Sequence, residues 1–162
     1  MAGFNQNNKR FNQAGYGGNQ QSRASLPAGY LAGGYYDVVQ GEKVLKKDYI
    51  VKYPEEIARA LSDREESKNN KRNKRSQIRK FYDYTLRIND LLVRKAGNFT
   101  LVEGELNRLI PFVKYAGSRD TVSDLFVNFI VKNISMIKNA DDMRAFVKHF
   151  EALVAYLPKE KN

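Results

Sequence analysis

KNNKRNKRSQIRKFYDYTLRINDLLVRK, residues 68–95, carries two patterns at once. Ile78, Phe81, Tyr82, Thr85, Ile88 and Leu92 recur at steps of three and four, which puts them on one helical face. Lys68, Lys71, Arg72, Arg75 and Arg79 follow the same arithmetic on a neighbouring stripe. The spacing predicts a long helix from Asn70 to Lys95, with an apolar face in a core and a basic N-terminal half at the surface. Gly97 and Asn98 end it. The segment holds ten basic groups against Asp83 and Asp90, out of a whole-chain net charge of +10. Seven of the basic groups fall between Lys68 and Lys80 with no acid among them. Such crowding is self-repelling unless an anion neutralises it, so it points to a nucleic-acid partner.

Working outward, the C-terminal side predicts three more helices. Leu106, Leu109, Ile110 and Val113 lie within Thr100–Ala116, where Pro111 should kink the element. A loop, Gly117–Ser118–Arg119–Asp120, follows. Val122, Leu125, Phe126, Phe129, Ile130, Ile134 and Ile137 form a broad apolar face suited to a central helix. Asn139 to Asp142 caps the last helix, which carries Met143, Phe146, Val147, Phe150, Leu153, Val154 and Leu157 and stops at Pro158. On the N-terminal side, Pro54 with Glu55 and Glu56 opens a short helix through Ile57, Ala60 and Leu61. Residues 35–51 read as an irregular lead-in, because no segment alternates with period two. Residues 1–34 hold seven of the eleven glycines, with Phe4, Phe11, Tyr16 and Tyr30 among Asn and Gln. They read as a flexible, disordered Gly/Asn/Gln-rich tail whose first 33 residues can be removed without moving the thermal midpoint. The fold expectation is all-α: a compact bundle of about five helices over residues 35–162, forming a helical RNA-binding domain.

Several function classes fall away. Cysteine is absent, which excludes a disulfide framework, thiolate–metal sites and a thiol nucleophile. No apolar run spans a membrane, and no signal-peptide pattern opens the chain, which suits a cytoplasmic protein. No phosphate-binding Gly-Lys-Ser/Thr loop is present. His149 is the single histidine and reads as a packed or surface residue rather than a ligand. Asp141–Asp142 and Asp120/Asp124 read as acids at helix starts rather than magnesium ligands. The chain therefore reads as a non-enzyme with no metal and no cofactor.

Five segments, in order, resemble the small subunit of type III-A CRISPR (Csm) effector complexes. They are Gly34-Tyr35-Tyr36-Asp37, Ile57-Ala58-Arg59-Ala60-Leu61, Ser76-Gln77-Ile78-Arg79-Lys80-Phe81-Tyr82-Asp83, Tyr115-Ala116-Gly117-Ser118-Arg119 and Phe150-Glu151-Ala152-Leu153-Val154-Ala155-Tyr156. The fourth departs from the family turn, which sets Gly directly before Arg; here Ser118 intervenes. The resemblance implies an antiviral-defence subunit that stacks in several copies along guide RNA and target RNA. Its partners would be the backbone subunit, the large polymerase-like subunit and other copies of itself. Cleavage and signal synthesis would belong to other subunits.

Base pairing would then read sequence while this chain contacts the backbone without sequence preference. Lys71, Arg72, Arg75 and Arg79 are the residues expected to track phosphates, with Lys114 and Arg119 as a second contact. Two readings stand beside this one. The basic helix fits a general helical RNA- or DNA-binding protein outside CRISPR equally well, and a protein-binding adaptor would present the same face to an acidic partner.

Overall fold

The computed structural model describes residues 24–160. Residues 1–23, with the aromatics Phe4, Phe11 and Tyr16, lie outside the described residues. The elements run β1 (Tyr36–Val39), β2 (Glu42–Leu45), α1 (Lys52–Ser62), α2 (Arg75–Arg94), α3 (Glu103–Asn107), α4 (Leu109–Ser118), α5 (Asp124–Met136) and α6 (Ala140–Tyr156). Single 3-10 turns lie at Lys47–Tyr49 and Phe99–Leu101. If α3 and α4 are counted as one broken helix, the bundle has the expected five. Among the described residues no helix is long and apolar enough to cross a membrane.

The apolar stripes read from the sequence are the ones buried. Ile78, Thr85, Ile88 and Leu92 of α2 are buried, with Phe81 and Tyr82 half-buried against Phe126 and Phe150 at ring separations of 5.5 and 5.4 Å. Phe126 and Phe129 of α5 meet Phe146 and Phe150 of α6 in one aromatic core. α6 packs on both α1 and α2, while α4 packs on α5. Asn139 caps α6 by accepting a hydrogen bond from the Asp142 N–H at 2.9 Å, as its position predicts. α2 ends in a paired carbonyl-capping turn. The Gly97 N–H reaches the Leu92 carbonyl and the Ala96 N–H reaches that of Val93. Ala96 is in the left-handed region there, at φ 54.

Four expectations need correction. The lead-in at 35–51 is a β-hairpin: Tyr36 pairs with Leu45 and Val39 with Glu42 in an antiparallel register. Gln40 and Gly41, at φ 52 and 81, form the tight turn. Four-residue strands are too short to show alternation. Pro111 breaks the predicted helix rather than bending it. The chain divides at Arg108, which leaves Pro111 in the first turn of α4, where a missing N–H costs nothing. Gly117 is helical rather than part of a loop, since α4 runs through Ser118. A side-chain carbon on Gly117 would sit 2.9 Å from Val127 Cγ2, so glycine lets α4 lie close to α5.

The fourth correction concerns the tail boundary at residue 34. Tyr30 and Leu31 are buried, at 2% and 3% exposure, inside a network of polar groups. The Tyr30 hydroxyl donates to His149 Nε2 at 2.5 Å and accepts from Asn133 Nδ2 at 2.8 Å. His149 Nδ1–H donates to the Tyr49 carbonyl at 2.6 Å. The Tyr35 hydroxyl donates to Asn133 Oδ1 at 2.7 Å, and the Leu31 N–H donates to the Tyr49 hydroxyl at 2.9 Å. Every buried polar group in this set has a partner, which is what lets it sit under α5 and α6. Burial holds the His149 pKa down to about 4, so the imidazole is neutral there. Burial likewise raises the Tyr30 phenol well above its ordinary value.

Candidate nucleic-acid interface

The basic residues of 68–80 do not share one helix. α2 begins at Arg75, after Lys74, and residues 64–73 form a compact loop. Its hydrogen bonds come from Asp63 and Ser67. The Asp63 carboxylate accepts from the Glu65 and Glu66 N–H groups, and the Ser67 hydroxyl accepts from the Asn70 N–H. Side chains that capture nearby backbone donors in this way compete with helix formation. Lys68, Asn69, Asn70 and Asn73 all take positive φ, between 49 and 64. Asparagine tolerates that region better than most residues, and three of the four are asparagine.

The loop is fastened to the turn before α5. Asn73 is buried; its amide donates to the Leu61 carbonyl and the Ser123 hydroxyl, and its carbonyl accepts from the Ser123 N–H. Lys68 and Arg72 both reach the Asp120 carboxylate, Arg72 at 2.9 Å. Their hydrogen bonds lower the Asp120 pKa. Asp120 is therefore not a helix-start acid, as its position suggests. It is the anion that answers part of the basic run, from 52 residues away in the chain. Asp124 and Asp141–Asp142 do lie in the first turns of α5 and α6.

The expected contact residues separate into three groups. Arg72 is half-buried and engaged, since its Nε also donates to the Glu66 carbonyl at 2.5 Å. Arg75 and Arg79 are one turn apart at the start of α2, as predicted, and Lys71 stands exposed on the preceding loop. Among the described residues, the one acid in reach of Arg79 is Asp83, at a long 3.9 Å. Arg119 follows α4 and is the neighbour of Asp120, so the Asp120 bridge sets it beside the loop. Lys114 is exposed on α4, five positions back, which turns it about 140° from Arg119 around the helix. The structure therefore brings Arg119 toward the first patch and leaves Lys114 apart.

Two groups absent from the sequence reading complete the surface. An open pocket of about 390 Å3 lies where the loop, the start of α2 and the C-terminal segment meet. Arg72, Lys74, Arg75, Lys159 and Glu160 line it. The Glu160 carboxylate accepts from the Ser76 N–H at 2.7 Å, which lowers its pKa. A carboxylate thus already occupies a backbone donor that the helix start leaves open. Lys159 and Glu160 follow Pro158 and share no periodicity with the basic helix, so no pattern in the sequence marks them.

Among the described residues no three His, Cys, Asp or Glu side chains converge in a metal-holding group. What the surface offers is a set of cations, Lys71 and Arg79 exposed and Arg75 half-buried, carried on a backbone that the loop and α2 hold in place. A family model described as Csm2 Type III-A matches residues 46–160. No curated protein and no solved structure matches the chain.

Proposed function

The chain belongs to the Csm2 Type III-A family, and we propose that this subunit of a type III-A CRISPR effector complex binds RNA through its phosphate backbone and catalyses nothing itself. The observation that carries the reading is the cation set at the start of α2. Arg75 and Arg79 stand one turn apart between Lys71, Lys74 and Lys159, on an element whose opposite face is locked in the core. Cations fixed at one-turn spacing suit neighbouring phosphates and read no base edge. Guide–target pairing then supplies sequence recognition. Several copies stacked along guide RNA and target RNA in the cytoplasm, beside the backbone and large polymerase-like subunits, would repeat that contact at intervals.

A non-catalytic role is supported by the state of the single histidine. His149 is buried, neutral, and engaged at both ring nitrogens, so it offers no proton-transfer group to a substrate.

The test is the double substitution Arg75→Ala/Arg79→Ala. Stability should change by no more than about 0.5 kcal/mol, as for surface positions generally. RNA affinity should fall equally for all sequences. The salt slope of log affinity should drop by about 0.7 per Arg on a single strand, or about 0.9 on a duplex. Arg→Lys should restore most of the loss, because phosphate tracking needs charge more than a guanidinium fork. The idea would be falsified if the folded double variant kept both the affinity and the salt slope.

A further inference from the structure

α4 carries a stripe whose aromatic rings phosphate tracking does not use. Arg108, Phe112, Tyr115 and Arg119 follow one another at steps of four, three and four, so they share one face of the helix. Arg108 is the residue before α4 and Arg119 the residue after it, so a cation stands at each end. Between them Phe112 and Tyr115 are 41% and 66% exposed, although most large apolar side chains of this chain are buried. The Arg108 guanidinium lies 5.4 Å from the Phe112 ring centre. On the other side, the Tyr84 ring meets Phe112 edge-on at 5.6 Å and 86°, and the Arg87 guanidinium lies 5.3 Å from the Tyr84 ring centre. Two acids flank the stripe, and both are engaged: Glu105 by Arg108 at 3.1 Å and the Tyr84 hydroxyl at 3.3 Å, and Asp120, next to Arg119, by Lys68 and Arg72.

We propose that this stripe is a stacking platform for unpaired nucleobases, with Phe112 and Tyr115 taking the bases and Arg108 and Arg119 the flanking phosphates. Exposed rings between cations are the arrangement by which proteins hold single-stranded nucleic acid: each base has a π-face, so stacking is indifferent to sequence. A base inside an A-form duplex offers no free face to such rings. The α2 surface and the α4 stripe therefore differ in what they accept. The first takes any phosphate backbone; the second takes RNA only where bases are unpaired. Tyr84 meets Phe112 edge-on and holds that ring in place, and the Arg108 guanidinium lies against it until it swings out to a phosphate and a base takes over. The inference rests on the proposed function only in taking RNA as the partner class.

The experiment titrates the full chain with a mixed-sequence single strand about 12 nucleotides long and with a blunt RNA duplex of the same length, at several salt concentrations. Phe112→Ala/Tyr115→Ala should weaken single-strand binding by about 5- to 150-fold per ring, with the salt slope unchanged. Duplex binding should stay within twofold. Tyr115→Phe should bind the single strand like the parent. Tyr115→Ala alone, at the more exposed ring, serves if the double variant does not fold. The proposal is overturned by unchanged single-strand affinity in a folded variant, or by equal losses on strand and duplex. It is also overturned if the variant loses only self-association, which would make the stripe a protein contact. If Arg75→Ala/Arg79→Ala leaves binding intact while ring removal weakens it, the phosphate reading fails and this one stands. If the parent binds neither RNA, both fail.

Discussion

Two regions tie distant parts of the chain together with polar side chains, and they do it under opposite conditions. Where the N-terminal segment meets α5 and α6, Tyr30, Tyr35, Tyr49, Asn133 and His149 join in a buried network of neutral groups. At the loop before α2, Lys68 and Arg72 grip Asp120 in water, with all but Arg72 about half exposed. The contact distances are similar. The solvent is not, and it decides what each is worth. An exposed ion pair trades water for a partner of nearly equal value. A buried hydrogen bond has no water to fall back on, so losing one partner strands the other. The first kind sets where a segment lies; the second holds the fold.

That contrast can be broken in three places. The largest effect belongs to Tyr30. Tyr30→Ala should cost about 3–5 kcal/mol, because it opens a cavity and strands His149 Nε2. Deleting residues 1–33 should do the same, contrary to the sequence expectation for that stretch. Denaturant melts measure both, and a midpoint within error of the parent would show that the network does not hold the fold. Next comes pH. His149 titrates near 6.5 when unfolded and near 4 when folded, so the unfolded state binds the extra proton between those values. Stability is complete above about pH 6.5 and falls by about 3 kcal/mol as pH drops to 4. Urea midpoints across that range should show the slope, and His149→Gln should remove its share. The smallest effect is at Asp120. Asp120→Asn should leave the melting temperature in place while amide exchange quickens at residues 67–73, which would separate positioning from stability.

The helices were legible because their cause is local. Ile78, Thr85, Ile88 and Leu92 declare the buried face of α2 by spacing alone, and Asn139 declares the start of α6. What escaped depends on residues far apart in the chain. Tyr30 looks like one more aromatic in a glycine-rich stretch until His149, 119 residues on, is set against it. The basic run looks like one helical stripe until Asp120 and Ser123 pin its first half into a loop. Periodicity continues through Lys71 and Arg72 on paper, yet Asn70 and Asn73 sit at φ 64 and 58 and Asp63 takes the backbone donors. The candidate site was half visible for the same reason. Arg75 and Arg79 lie on the helix the pattern predicts, whereas Lys159 and Glu160 join the surface only through folding, and the evenly spaced α4 stripe is told from a core face only by its exposure.

The left-handed run at Lys68, Asn69, Asn70 and Asn73 has a kinetic consequence. A basic segment that ordered itself on meeting RNA would lose conformational entropy at that moment, about 1–2 kcal/mol for each backbone unit fixed. Here the Asn73–Ser123 bonds have already removed that freedom during folding. On the proposed RNA-binding role, an arriving strand would meet a loop backbone already in its final place, and only the long side chains would have to settle. Binding should then be limited by diffusion and steered by charge, with on-rates that fall steeply as salt rises.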